Sequence, residues 1–239
     1  MLSASRFATT TIFLTGVLIA GRAPVAHSRS SPVPRGSSTP ARICGSLHPK
    51  TERHARCAKP RVISVMKAAV TGEGEIQSVL ETPCQNTRLL PTAADLQLIR
   101  EAIFCLVNQE RASDGELPLI SDAALGNAAQ AHSEDMIEED YFGHVTPGGL
   151  QPAERILQAG YLPSPQDGYT VGENIAWETL EGASAKATVA AWIASPDHLE
   201  NILEARYRDT GIGVVAQAPR YLDTGAQGAT YTQDFGARG

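Results

Sequence analysis

The feature that most constrains this 239-residue chain is a break in texture near Thr92. Before it the sequence is rich in Ser, Pro, Thr and basic residues. After it apolar residues recur with helix and strand periods to the end. A core must therefore be built from about 150 residues, which is enough for one domain without further staples. Charge divides at the same place: residues 1–91 carry 12 Lys/Arg against 4 Asp/Glu, and residues 92–239 carry 8 against 22. So acidic a domain repels nucleic acid and anionic membrane surfaces, and no nucleic-acid partner is expected.

The first 28 residues read as an export segment. Arg6 gives a basic start, Phe7 to Ala20 is apolar and threonine-rich, and small residues surround Ala26 and Ser28. That run is short for a membrane span of about 20 residues, so membrane contact is expected only through an uncleaved signal anchor. The expected organisation is a signal peptide or anchor at 1–28, a basic Ser/Pro-rich linker at 29–83 and a domain at 84–239. A secreted, extracellular or cell-envelope location follows. Val62 to Val70 is an apolar patch within the linker with no assigned role.

Four cysteines in an exported chain are expected to be bridged. Four allow three connectivities; pairing neighbours joins Cys44 to Cys57 and Cys84 to Cys105. The second bridge would staple the incoming arm to the first helix.

Periodicity predicts four helices and a sheet. Leu96, Ile99, Ile103 and Val107 mark a helix from about Thr92 to Ala112, with Thr92 and Asp95 at its start. Leu125, Ala129, His132 and Met136 share a stripe of a second, starting near Ser121. Pro152 to Ala159 is a third, ended by Gly160, and Ser184 to Ala194 a fourth, anchored by Trp192. Alternation at Ile212, Val214 and Ala216, and at Tyr231, Gln233 and Phe235, marks two antiparallel strands. The class is α+β, with helices flanking a small antiparallel sheet.

Three short polar segments stand out: Phe142-Gly143-His144, Gly172-Glu173-Asn174, and Ser195-Pro196-Asp197-His198 with Asn201. They read as loops that gather two imidazoles and a carboxylate. His198 carries the best local argument. Pro196 ends one helix and opens another with Ser195 as N-cap, so His198 sits in a first turn where the helix dipole disfavours the imidazolium. A neutral imidazole is what a metal or a hydrogen-bonding ligand needs. Glu173 can accept from an imidazole and fix its tautomer. His132, on the apolar stripe, reads as a buried core histidine, and Asn108 and Arg111 as structural. Ser64 and Lys67 match Ser-x-x-Lys but lie in the linker without the companion motifs.

These segments, in order, resemble the bacterial branch of the CAP superfamily, or SCP domain, of cysteine-rich secretory, antigen 5 and pathogenesis-related proteins. Asn108-Gln109-Glu110-Arg111, Ala131-His132-Ser133, Glu154-Arg155-Ile156, Gly211-Ile212-Gly213-Val214 and Tyr231-Thr232-Gln233-Asp234-Phe235-Gly236 carry the same resemblance. It implies an α-β-α sandwich and a cleft containing His144, Glu173 and His198. Where many eukaryotic members have a second glutamate, this chain has Ser195. The expected function is a binding module whose cleft offers His144, Glu173, His198 and Ser195 to a polar ligand, with His144 and His198 as ligands of a weak, open Zn2+ site. The alternatives are a hydrolase using Glu173 and a lipid or sterol carrier.

Overall fold

The computed structural model describes residues 17–19, 72–161, 168–222 and 225–238. Cys44, Cys57 and the patch at Val62 to Val70 lie outside the described residues, as does the expected export segment apart from Val17–Ile19. Among the described residues no helix is long and apolar enough to cross a membrane.

Among the described residues six α-helices, a short 3-10 helix (Leu180–Ala183) and five strands follow one another. Helix α1 spans 72–81, in the part read as linker. Next come α2 (Leu96–Ser113), α3 (Ala123–Glu138), α4 (Pro152–Gln158), α5 (Ala185–Ala194) and α6 (Pro196–Leu203). The strands are β1 (Val17–Ile19), β2 (Ile120–Ser121), β3 (Tyr169–Thr179), β4 (Asp209–Val215) and β5 (Gly228–Arg238), in the sheet order β1-β3-β5-β4-β2. Pairings are antiparallel, as expected of the small sheet, except between β2 and β4, whose parallel pairing at the edge makes the sheet mixed. Two-residue β2 has no hairpin partner; it arrives from α2 and runs alongside β4 at the sheet's edge.

Helices cover both faces, giving the α-β-α sandwich. On one face α2, α5 and α6 bring Ile99, Ile103, Val107, Trp192 and Ile202 onto Val214, Tyr231 and Phe235. On the other, α3 and α4 bring Leu125, Ala128 and Ile156 onto Val171. The α3 face is tight because β4 has no side chains there at two positions. A Cβ on Gly211 would lie 2.0 Å from the Gly126 nitrogen, and one on Gly213 2.2 Å from the Ala129 oxygen. Glycine at alternate strand positions thus lets the helix backbone rest on the sheet.

Local signals explain the helix ends. Asp122 caps α3, its Oδ1 accepting from the Ala124 and Leu125 amides at 2.8 and 3.1 Å. Pro152 opens α4, and Gly160 leaves it at φ +86°. Helix α2 starts at Leu96 rather than Thr92, since the Thr92 hydroxyl donates to the Asp95 carboxylate (2.6 Å) and holds a preceding turn. Asn108 trades two hydrogen bonds with the Leu119 backbone, and Arg111 donates to the Leu117, Ile202 and Glu204 carbonyls, the structural parts expected of them. Cys84 and Cys105 form a disulfide with Cα atoms 5.6 Å apart, fastening the segment after α1 to α2.

Candidate functional site

The site is organised by β3. Its middle holds Glu173, which the sequence placed in a loop and the structure places on a fully buried strand position. A carboxylate is tolerated there because α4 and the loop after α3 deliver its counter-groups. Oε1 accepts from His144 Nδ1 at 2.7 Å, and Oε2 from Arg155 Nη2 at 2.5 Å. His132 Nε2, from α3, lies 3.8 Å from Oε1 and bonds the Gly143 carbonyl at 3.0 Å. Arg155 Nη1 also donates to the His144 and Leu150 carbonyls. One guanidinium therefore fixes both the carboxylate and the loop that carries its imidazole partner.

The charges are settled by these contacts. Burial pushes the Glu173 carboxyl up, but the His144 hydrogen bond and the neighbouring His132 and Arg155 outweigh it and hold the group below its ordinary range. His132 is driven down to about 4, chiefly by burial, so its ring is neutral near pH 7. Nδ1 of His144 faces Glu173, which fixes the orientation of the ring.

The next residue, Asn174, projects to the opposite face and meets α6. Its Nδ2 donates to the His198 carbonyl at 3.1 Å, and Asn201 donates to Asn174 Oδ1 (2.9 Å) and to the Glu173 carbonyl (3.2 Å). Adjacent residues of one strand thus anchor the two histidine-bearing segments from opposite sides. Ser195 occupies the backbone N-cap position of α6, as predicted, yet its side chain does not cap the helix. Its Oγ instead meets His198 Nδ1 at 2.8 Å, a competing local partner that wins over the free amides.

His198 is 1% exposed, and its Nε2 is buried with no hydrogen-bond partner among the described residues. Burial first, and the neighbouring His144 ring second, lower its pKa to about 4. The ring is neutral at pH 7, the state expected of it, with burial rather than the helix dipole as the chief cause. The serine hydroxyl can donate to or accept from Nδ1, so Nε2 can present either a lone pair or an N–H.

His144, Glu173 and His198 are thus tied to one short stretch of β3, but as buried groups rather than as an open loop cluster. The donor set does not complete a zinc site. Glu173 is committed to His144 and Arg155, and among the described residues no three His, Cys, Asp or Glu side chains are placed to hold a metal ion. Two imidazoles fall short of the usual three or four protein ligands. Sequence reasoning missed Arg155, which sits beside Ile156 on a short helix and gave no sign of its inward reach. It also missed Asp234, fully buried on β5 directly opposite Glu173. Strand alternation sets Asp234 on the face away from Gln233, but the burial of β5 on both faces leaves no mark in the sequence. The turn at Thr146–Leu150, closed by two backbone hydrogen bonds and Gly149 at φ +90°, borders a cavity of about 630 Å3. Ala128, Ala131, His132, Asp135, Leu150 and Arg155 are among the residues that line it.

The model of the cysteine-rich secretory protein family, CAP, matches residues 104–235. The uncharacterized protein YkwD of Bacillus subtilis is 28% identical over 179 residues, covering 74% of this chain and 62% of that one. The uncharacterized membrane protein YlbC of the same organism is 34% identical over 112 residues, covering 47% and 30%. This chain therefore spans less than two thirds of the length of either relative. Among solved structures, an extracellular protein containing an SCP domain from Bacillus anthracis has a TM-score of 0.47 at 25% identity, over 61% of this chain and 43% of that one. An outer surface protein from Borrelia burgdorferi has a TM-score of 0.48 at 19% identity, over 63% and 97%.

Proposed function

Because the chain belongs to the cysteine-rich secretory protein family, CAP, we propose that it is exported and acts at the cell envelope or outside the cell as a binding module. Its cleft would lie between the His144 and His198 segments on either side of β3. The observation that carries this reading is His198 Nε2: a buried nitrogen on a neutral ring, held from behind by Ser195 and without a hydrogen-bond partner among the described residues. An unpaired buried polar atom costs about 1–3 kcal/mol, a cost that a ligand's polar group would remove. The ligand is a polar group that can pair with imidazole nitrogen, and soluble peptidoglycan fragments are the probe of first choice at an envelope.

A divalent ion at His144 and His198 would be a weak, open site completed by water or by the ligand itself. Glu173 would serve as the group that orients His144 and not as a base for attacking water, since its oxygens are buried and engaged. This places the hydrolase alternative behind the binding module. A small apolar ligand in the cavity beside α3 and α4 is the second reading, supported by its alanine and leucine lining.

The test is calorimetry and histidine-detected NMR with peptidoglycan fragments and, separately, with Zn2+. Binding of either probe that shifts His198 and disappears in the His144→Ala, His198→Ala double variant supports the cleft. Binding that survives in that variant, or lipid recovered from a cell extract regardless of both histidines, would overturn it in favour of another surface.

A further inference from the structure

The register of β3 and β5 sets Glu173 directly opposite Asp234, and that of β4 and β5 sets Gly211 opposite Asp234 on the other side. Residues opposite one another across antiparallel strands share a face, with Cβ atoms about 4.5–5.5 Å apart. Two carboxyl groups thus stand side by side beneath α3, at 0% and 1% exposure. They are provided for very unequally. Glu173 takes the imidazole of His144 and the guanidinium of Arg155. Neither Oδ1 nor Oδ2 of Asp234 receives a hydrogen bond from any donor among the described residues. On β4 the facing position is a glycine that brings α3 in close and supplies no cation.

We infer that Asp234 is kept as a neutral carboxylic acid that donates its hydroxyl hydrogen to Glu173, making it a positioning residue for the Glu173–His144 pair. Two carboxylates this close in a buried, low-dielectric interior do not both ionise; the one with donors keeps its charge and the other keeps the proton. The charged and titratable groups around the pair are Arg155 from α4, His132 from α3 and His144 from the following loop, and all three face Glu173. Burial, and next the adjacent Glu173 charge, push the Asp234 carboxyl well above its ordinary range, while Glu173 is held below its own. With His132 neutral, Arg155 balances Glu173 and a neutral Asp234 adds no uncompensated charge. The hydrogen bond from Asp234 would fix the Glu173 carboxylate plane and so the direction from which Oε1 receives His144 Nδ1. The inference does not depend on what the cleft binds.

Infrared difference spectroscopy of the full chain in D2O at neutral pH tests it directly. The wild type should show a buried carboxylic-acid C=O band that is absent in Asp234→Asn, whose amide keeps a donor toward Glu173. In Glu173→Gln the band should persist but move to higher frequency, because its acceptor is no longer an anion. The pH dependence of urea unfolding gives a second readout. A raised folded pKa contributes stability that is full below the unfolded value and falls as pH rises toward the folded one. The unfolding constant of the wild type relative to Asp234→Asn should therefore climb as pH rises from about 4 toward the folded value, by up to about tenfold per pH unit. A wild type without the band, or one whose band survives in Asp234→Asn, would place the proton elsewhere and overturn the assignment. Should Asp234→Asn fail to fold, the wild-type spectrum and the Glu173→Gln shift decide alone.

Discussion

The two faces of β3 treat their polar groups in opposite ways. Toward α3 and α4, Glu173 is surrounded: an imidazole and a guanidinium bond it, a second imidazole stands by, and a second carboxyl lies across the strand. Toward α6, His198 has Ser195 as its one side-chain partner among the described residues, and none of them satisfies Nε2. The first arrangement resembles a structural lock, since its groups are consumed by one another. The second has capacity to spare. Where a family's polar residues cluster, the ones that finish their bonds internally set geometry, and the ones that do not are where a ligand finds purchase.

Removing the lock's cation should have the largest effect. Arg155→Met deletes the counter-charge of a fully buried carboxylate together with the hydrogen bonds to the His144 and Leu150 carbonyls. Breaking a buried pair by removing one partner costs about 3–5 kcal/mol. Urea denaturation should show a loss of that order, with the His144 loop disordered by hydrogen exchange. A loss below about 1 kcal/mol would mean that Glu173 had taken up a proton at little cost, and the contrast between the faces would collapse.

Acid provides an intermediate perturbation that touches both faces at once. His132 and His198 have folded pKa values near 4, below the ordinary 6.5, so each contributes stability that is present above pH 6.5 and is lost as pH falls toward 4. In the same window the proton held by Asp234 works the other way, because an unfolded aspartate is ionised above about pH 3.9. Two protons taken up on unfolding against one released leave a net of one. Stability should fall by at most about 1.4 kcal/mol per pH unit between 6.5 and 4.5, and by less if solvent reaches the His198 ring. His198→Gln should flatten this slope, and Asp234→Asn should steepen it. Slopes unchanged in both variants would show that neither group titrates as its surroundings require.

The same contrast explains what could be read from the chain. Helix α4 announced itself through Pro152 and Gly160, α6 through Pro196, and β5 through the alternation of Tyr231, Gln233 and Phe235. These are local effects of backbone geometry and period. Strand β3 was not legible, because Gly172, Glu173 and Asn174 interrupt its apolar run where a loop would. Their burial is compensated by Arg155 and Asn201, neither a sequence neighbour, while Tyr207 packs over Gly172, where a Cβ would meet its hydroxyl at 2.2 Å. His144, Glu173 and His198 were legible together through family resemblance, and a 2.7 Å hydrogen bond joins the first two. Arg155 and Asp234 were not, since a charge paired only in three dimensions, or a carboxyl buried beside another, looks like any surface charge in the chain.

The smallest expected change in stability accompanies the largest expected change in binding. His198→Gln keeps an amide near the position of the ring, and the group it replaces has one side-chain hydrogen bond, to Ser195. At pH 7, where the ring is neutral, folding stability should change by about 1 kcal/mol or less, the size of one neutral hydrogen bond. The affinity for a peptidoglycan fragment or Zn2+ should drop at least tenfold, because no other imidazole on α6 can take the place of Nε2. A variant that binds as well as the wild type but unfolds several kcal/mol more easily would reverse the assignment: His198 would then be part of the lock, its unsatisfied nitrogen a tolerated cost of packing α6 against β3.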